Sequence, residues 1–184
     1  MKKIVQFAFL ALFLVAFTGC EQQKVVNRMI KTESGERFLT GEFEKSALNQ
    51  KYFSTWFEPE YNSYEVEEAK LKGVKKDIKM MKIEVFVGTW CSDSQRELPR
   101  LIKILEALKF PTNTRLKIYG VDRKKQSFYG EELGKDISHV PTIIFYEKGK
   151  EIGRIVESPV SGYLEEDIAM IVNGTPLTPN YAED

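Results

Sequence analysis

One cysteine lies in a segment whose residue types suit thiol chemistry. The segment Trp90-Cys91-Ser92-Asp93-Ser94 follows an apolar run and precedes a helical pattern. The first turn of a helix has unpaired N–H groups and a partial positive charge, which favour the reactive thiolate form of a cysteine placed there. Ser94 either donates its hydroxyl to that thiolate or bonds the helix backbone. Our first hypothesis is that Cys91 is the nucleophile and Ser94 its donor.

Three further residues could assist or oppose this sulfur. Asp93 suits a helix start, but its charge opposes a nearby thiolate. Arg96, one turn later, could attract the thiolate or an acidic partner, or it is a surface residue. His139 is the only histidine and could shuttle protons, or it is a solvated loop residue. One free cysteine and one histidine do not make a zinc-type ligand set, so the sequence predicts no metal and no cofactor.

Hydrophobic patterning predicts the elements that position the cysteine segment. An uninterrupted apolar run before it suits a strand buried on both faces, and an apolar stripe at helical period follows it. Later segments predict a second strand, a short helix or turn, a β-hairpin and a last helix. The predicted strands span 80–87, 116–121, 142–146 and 152–156, and the later helical segments span 128–133 and 162–172.

Four anchors in this order resemble the thioredoxin family. They are Gly88-Thr89-Trp90-Cys91, a proline at position 99 within the helix, Val140-Pro141-Thr142, and Gly149 in the hairpin. The resemblance covers about residues 64–173. It implies an α/β fold with a thioredoxin-like mixed β-sheet flanked by helices. It also implies that Val140-Pro141 is a cis-proline loop whose backbone pairs with an extended substrate segment near Cys91.

The segment departs from the family at three positions. Ser94 stands where the family has its second cysteine, Asp93 replaces the usual proline, and Val85 stands where the family has a buried carboxylate. Because one cysteine cannot resolve its own mixed disulfide, a reaction at Cys91 stops there until another thiol arrives. Isomerisation, thiol transfer and mixed-disulfide capture can each begin with one thiolate.

These observations leave two functions open. In the first, a protein with a single active-site thiol exchanges thiols and disulfides with exported proteins. Trp90 then flanks the site, and Ser92 and Asp93 complete the motif. In the second, the domain is a redox-inactive binding or assembly module, as the missing second cysteine favours. We expect a monomer, and no run of basic residues suggests nucleic acid as a partner.

The amino terminus is typical of an export signal. Lysines at the second and third positions precede an apolar run of fourteen residues at 4–17, interrupted only by Gln6. This run is shorter than the ~20 residues of a membrane-spanning helix. Phe17-Thr18-Gly19-Cys20 resembles a bacterial lipobox, although leucine usually stands where Phe17 does. The resemblance implies lipidation of Cys20, so that Cys91 is the only free thiol. The alternatives are an ordinary cleaved signal or an uncleaved anchor.

Processing before Cys20 would leave 165 residues with a net charge near −2, enough for one domain with its own core. We predict a membrane-anchored lipoprotein on the periplasmic or cell-surface side. Within the segment before the domain, we predict helices at 42–57, ended by the proline at position 59, and at 63–76. The predicted division is a signal peptide (1–19), a tether (20–41), a helical extension (42–63), a thioredoxin-like domain (64–176) and a tail (177–184).

Overall fold

The computed structural model describes residues 24–182. The predicted signal peptide and the predicted lipidation site, Cys20, lie outside these residues. No helix among the described residues is long and apolar enough to cross a membrane. The strands are β1 (Met29–Lys31), β2 (Arg37–Leu39), β3 (Gly41–Phe43), β4 (Lys82–Val87), β5 (Leu116–Gly120), β6 (Thr142–Glu147) and β7 (Lys150–Val156). The helices are α1 (Lys51–Ser63), α2 (Ser92–Ala107), α3 (Thr112–Arg115) and α4 (Leu164–Val172).

The main sheet has the strand order β3-β5-β4-β6-β7. Its central pair, β4 and β5, is parallel, and every other neighbouring pair is antiparallel. Helices α2 and α3 form the crossover that a parallel pair requires. This confirms the predicted α/β class, a thioredoxin-like mixed sheet flanked by helices. Because β4 and β5 are parallel, their carboxyl ends lie at the same edge of the sheet.

Strand β4 is buried on both faces and separates two apolar cores. Val85 packs in the larger core under the helices, and Phe86 packs in the smaller core on the opposite face. Glu84 shares the face of Phe86, where Lys82 and Lys135 form ion pairs with it. Burial alone raises the pKa of Glu84, but the two lysines outweigh burial and hold the pKa below its ordinary value. Glu84 therefore does not replace a carboxylate at position 85.

Helix α2 begins at the cysteine motif and continues through Pro99, as the motif predicts. It packs against α1 and α4 on the larger core. The predicted apolar stripe is confirmed, since each member is at most 4% exposed: Leu98, Leu101, Ile102, Leu105 and Leu108. This packing fixes the start of α2 at the edge of the sheet where β4 ends.

The residues predicted as a tether are partly built into the fold, so that prediction is wrong from residue 29 onwards. Strands β1 and β2 pair as a hairpin, and β3 extends the main sheet by pairing with β5. Leu39 is fully buried, and its N–H donates to Thr89 Oγ1 at 3.1 Å, directly before the cysteine motif. The polar composition hides these strands because each is only three residues long and buries few side chains.

The proline at position 59 does not end a helix, contrary to the prediction. Helix α1 starts only at Lys51, after a 3-10 turn, and runs through Pro59 to Ser63. Phe57, before the proline, is buried, and the ring of Tyr61, after it, stacks on Phe57 at 5.6 Å. Packing on both sides of the proline thus outweighs the backbone bond that proline removes.

The second helix predicted at 63–76 is also wrong. A short 3-10 turn at Glu68–Leu71 stands in its place, and Gly73 at φ +86° turns the chain away from helical geometry. The hairpin of β6 and β7 and the last helix α4 agree with the predicted elements. The segment 128–133 forms turns, which was one of the two predicted alternatives.

Candidate functional site

Cys91 lies where strand β4 passes into helix α2. The turn between them is closed by the Cys91 N–H, which donates to the Gly88 carbonyl at 2.8 Å. Cys91 itself is the amino-terminal cap of α2, and its side chain is partly exposed. The unpaired N–H groups of the first helical turn therefore begin at the next residue. Their partial positive charge lies beside the sulfur, where it can stabilise a thiolate.

The sulfur faces the loop that contains the proline at position 141. Cys91 Sγ donates to the Val140 carbonyl oxygen at 3.3 Å, and the Val140-Pro141 peptide bond is cis. The loop is fixed on both sides, because Thr142 Oγ1 donates to the His139 carbonyl and the Glu157 N–H donates to the Pro141 carbonyl, each at 2.7 Å. The cysteine motif and the cis-proline loop, which are distant in the sequence, are thus in contact in the structure.

The hydroxyl of Ser94 bonds the backbone, which is one of its two predicted roles. Ser94 is 1% exposed, and its Oγ accepts the Gly88 N–H at 3.2 Å. Among the described residues it makes no hydrogen bond to the Cys91 sulfur. Ser94 therefore ties the first turn of α2 to the end of β4 and so holds the thiol in position. Its predicted donation to the sulfur is absent from this structure.

Trp90 forms one wall of the site and is only partly exposed. Its indole Nε1 donates to the Val121 carbonyl at 2.9 Å, which joins the loop after β4 to the end of β5. The indole also lies over Gly88, where an added Cβ would fall 2.6 Å from Cε2. Glycine at position 88 is thus needed for the indole to occupy this place.

Arg123 is a residue of the site that the sequence analysis missed. Its guanidinium carbon lies 4.8 Å from the centre of the Trp90 ring, and its Nη2 pairs with Glu36 Oε1 at 2.6 Å. Glu36 raises the pKa of the Arg123 guanidinium, and a charged Cys91 sulfur raises it further. Arg123 therefore holds a positive charge against Trp90, the residue that precedes Cys91. The signal was available, because Arg123 follows β5, whose carboxyl end lies beside that of β4.

Arg96 is bound to carboxylates rather than to the sulfur. Its Nη2 lies 2.8 Å from Asp93 Oδ1, and its Nε lies 2.6 Å from Glu97 Oε1. The carboxylate of Asp93 is therefore partly neutralised at the helix start, which weakens its opposition to a thiolate. Ser92 is exposed and is the first residue of α2.

His139 is directed to the carboxyl-terminal segment and not to the sulfur. Its ring stacks on that of Tyr181 with centroids 3.8 Å apart and an interplanar angle of 10°. Its Nδ1 lies 3.0 Å from Ser138 Oγ. The described contacts of His139 do not include Cys91, so the structure gives no support to a Cys–His pair. Its role is to hold the end of the chain beside the proline loop.

Glu97, on the second turn of α2, is a buried acid that the sequence analysis did not single out. It is 2% exposed, and its Oε2 has no hydrogen-bond partner. Burial raises the pKa of the Glu97 carboxyl, although Arg96 and Arg100 lie beside it. The helix that presents Cys91 therefore contains a carboxyl group whose charged form is disfavoured in the folded state.

Comparisons with known proteins agree with the fold. The chain is 31% identical over 83 residues to a thioredoxin-like protein of Acanthamoeba polyphaga mimivirus, a match that covers 45% of this chain and 56% of that protein. The chain thus spans about half the length of this curated relative. No protein-family model matches the chain.

Solved structures give weaker likenesses. A protein of unknown function from Pseudomonas aeruginosa aligns with a TM-score of 0.48 and 14% identity, over 66% of this chain and 82% of that one. Thioredoxin O2 from Arabidopsis thaliana aligns with a TM-score of 0.34 and 23% identity, over 51% and 80%. These two likenesses support no functional assignment. The chain has a thioredoxin-like fold and is similar in sequence to a thioredoxin-like protein.

Proposed function

We propose that this protein is a membrane-anchored, extracytoplasmic thiol-exchange protein that uses the single thiol of Cys91. One observation carries the proposal. Cys91 is the residue that precedes the first turn of α2, and its partly exposed side chain places the sulfur 3.3 Å from the Val140 carbonyl oxygen. A thiol in that position has backbone dipoles to stabilise its charged form and a loop backbone beside it to receive an extended peptide.

The exchange step is a substitution at sulfur. The Cys91 thiolate attacks one sulfur of a disulfide on an exported protein, forming a Cys91–substrate disulfide and releasing the other substrate sulfur as a thiolate. A second thiol then attacks the mixed disulfide and returns Cys91 as a thiolate. When that thiol belongs to the same substrate the result is isomerisation, and when it belongs to another molecule the result is thiol transfer.

The surroundings of the sulfur favour a long-lived mixed disulfide. Cys91 is the only free cysteine of the described residues, and the hydroxyl of Ser94 is engaged by the Gly88 N–H. Release must therefore wait for an external thiol. Arg123, over the ring of Trp90, places a positive charge near the attacking sulfur, and the exposure of its guanidinium limits the electrostatic effect.

The anchored location is proposed from the amino-terminal sequence. The apolar run and Phe17-Thr18-Gly19-Cys20 support export and attachment of lipid to Cys20. Two or more acyl chains hold a protein stably at a bilayer, at about 0.8 kcal/mol per buried CH₂. The exchange partners are then thiols or disulfides of proteins outside the cytoplasm.

A redox-inactive binding or assembly module is the second candidate. Val85 in place of an acid and the backbone-bonded Ser94 favour it, because neither residue then assists proton transfer at the sulfur. In this alternative, the loop backbone at Val140 still binds an extended segment, and the Cys91 thiol stays reduced and unreactive.

Two measurements distinguish these functions. The first is the rate of alkylation of Cys91 by iodoacetamide at pH 7, compared with that of a cysteine peptide in the same buffer. The second is capture of mixed disulfides from cells quenched with acid and alkylated, using the wild type and Cys91→Ser. We expect faster alkylation than in the peptide and a reductant-sensitive adduct that is missing from the variant. A rate equal to that of the peptide, together with no adduct, would refute thiol exchange and leave the binding module.

A further inference from the structure

Exposed apolar side chains cluster where the described chain begins. Leu133, Phe128 and Tyr129 are 75%, 42% and 41% exposed, and Val25 is 49% exposed. The cluster is continuous, because the Val25 N–H donates to the Tyr129 hydroxyl at 3.1 Å and the rings of Phe128 and Tyr129 meet edge to face at 4.6 Å. Leu133 lies over Gly130, next to Tyr129. We call these four residues the amino-terminal surface.

Basic side chains border the amino-terminal surface. The Arg28 guanidinium carbon lies 3.7 Å from the centre of the Phe128 ring, and Lys24 Nζ lies 5.7 Å from the centre of the Tyr129 ring. Lys124 is exposed in the loop that leads to Phe128. Acids lie there as well: Lys24 pairs with Glu131 at 2.8 Å and with Glu42 at 3.6 Å. Glu132 Oε2 accepts the Ser127 N–H at 3.0 Å. The surface is therefore apolar, and of its basic neighbours Arg28 and Lys124 make no ion pair among the described residues.

This composition matches the boundary of a lipid bilayer. Aromatic side chains are enriched at membrane interfaces, where the ring is half in hydrocarbon and half in the headgroup layer. Lysine and arginine beside such rings are attracted to anionic headgroups. A surface of this kind lies in the interface without crossing the membrane.

The position of the amino-terminal surface in the chain indicates that a lipid bilayer covers it. Cys20, the proposed lipid-bearing residue, is only four positions before Lys24. Four residues span at most about 14 Å, so the lipid and this surface must lie close together. We infer that the amino-terminal surface rests on the bilayer in which the lipid of Cys20 is inserted. This inference rests on the anchored location proposed above.

The test uses the full-length protein, processed in a bacterial host, extracted and reconstituted into vesicles of phosphatidylethanolamine and phosphatidylglycerol. A Leu133→Cys variant in a Cys91→Ser background is labelled with an environment-sensitive fluorophore. The matched control is Tyr163→Cys, since Tyr163 is 47% exposed and precedes α4, on the opposite face of the sheet. We expect a blue shift and quenching by spin-labelled lipids at position 133, and neither at 163. Adding Phe128→Ser should reduce the quenching at 133.

Each other outcome overturns the inference. Emission at position 133 that matches position 163 would mean that the surface faces water. Protection from iodide without quenching by spin-labelled lipids would assign the surface to a second copy of the protein. The intact mass of the extracted protein reports lipidation of Cys20 separately. The mass therefore distinguishes a protein without lipid from a lipidated protein whose amino-terminal surface does not contact the bilayer. Alkylation of Cys91 in the wild type tests the thiol chemistry independently.

Discussion

Replacing Thr89 by valine removes a hydrogen-bond acceptor while keeping the shape of the side chain. Thr89 is 3% exposed and accepts the N–H of Leu39, a residue with no exposed surface, at 3.1 Å. Valine cannot accept this bond, and water cannot reach the N–H that is left. The substitution therefore measures the contribution of the hydrogen bond between β2 and the cysteine loop, while the packing of both segments is kept.

The expected cost follows from the burial of the donor. A buried donor left without a partner costs about 1–3 kcal/mol, so Thr89→Val should lower the free energy of unfolding by about 2 kcal/mol. In a domain of this size, that loss lowers Tm by roughly 4–8 °C. The structure predicts a cost of this size because both partners are buried; an exposed partner could bond water instead.

Urea unfolding followed by circular dichroism measures the effect. The matched control is Thr175→Val, since Thr175 is exposed and its hydroxyl donates to the Met170 carbonyl at 3.3 Å. That substitution should change the free energy of unfolding by less than about 0.5 kcal/mol. Equal effects of the two substitutions would refute the reasoning, because the buried bond would then contribute no more than an exposed one.

Three further substitutions test the site. Arg123→Gln should slow alkylation of Cys91 at pH 7 by less than about five-fold, because the guanidinium is exposed to solvent. The difference from the wild type should vanish in 1 M salt, which screens the charge. A difference that salt does not change would contradict this reasoning. Gly88→Ala should lower stability by about 1–3 kcal/mol, seen in urea unfolding, because the new Cβ displaces the indole of Trp90; an unchanged midpoint with unchanged indole fluorescence would argue against that contact. For Glu97, burial raises the folded-state pKa, so the wild type loses stability as pH rises from the ordinary carboxyl range through that raised value. Glu97→Gln should remove this loss, and its stability relative to the wild type should increase between pH 4 and pH 8 in parallel urea titrations; a constant difference would refute the raised pKa.

The sequence determined the elements around the thiol because their signals are local. Apolar runs and helical periodicity indicated β4 and α2, and the order of Cys91, Pro99 and Val140-Pro141 indicated how the crossover and the loop would meet. The same local signals failed before the domain, where three-residue strands carry almost no pattern and where packing around Pro59 overrode its helix-breaking tendency.

Only the tertiary structure decided which side chains surround the sulfur. Arg123 reaches the site through the parallel pairing of β4 and β5, and His139 is held by Tyr181 instead of approaching Cys91. Arg123 lies 33 residues after Trp90, whose ring it contacts, and Tyr181 lies 42 residues after His139. Such contacts depend on how whole strands and loops pack, and a single sequence encodes that packing only through the complete fold. The sequence thus indicated the residues of the cysteine motif, while the packing of the sheet and its loops determined which other side chains lie near the thiol.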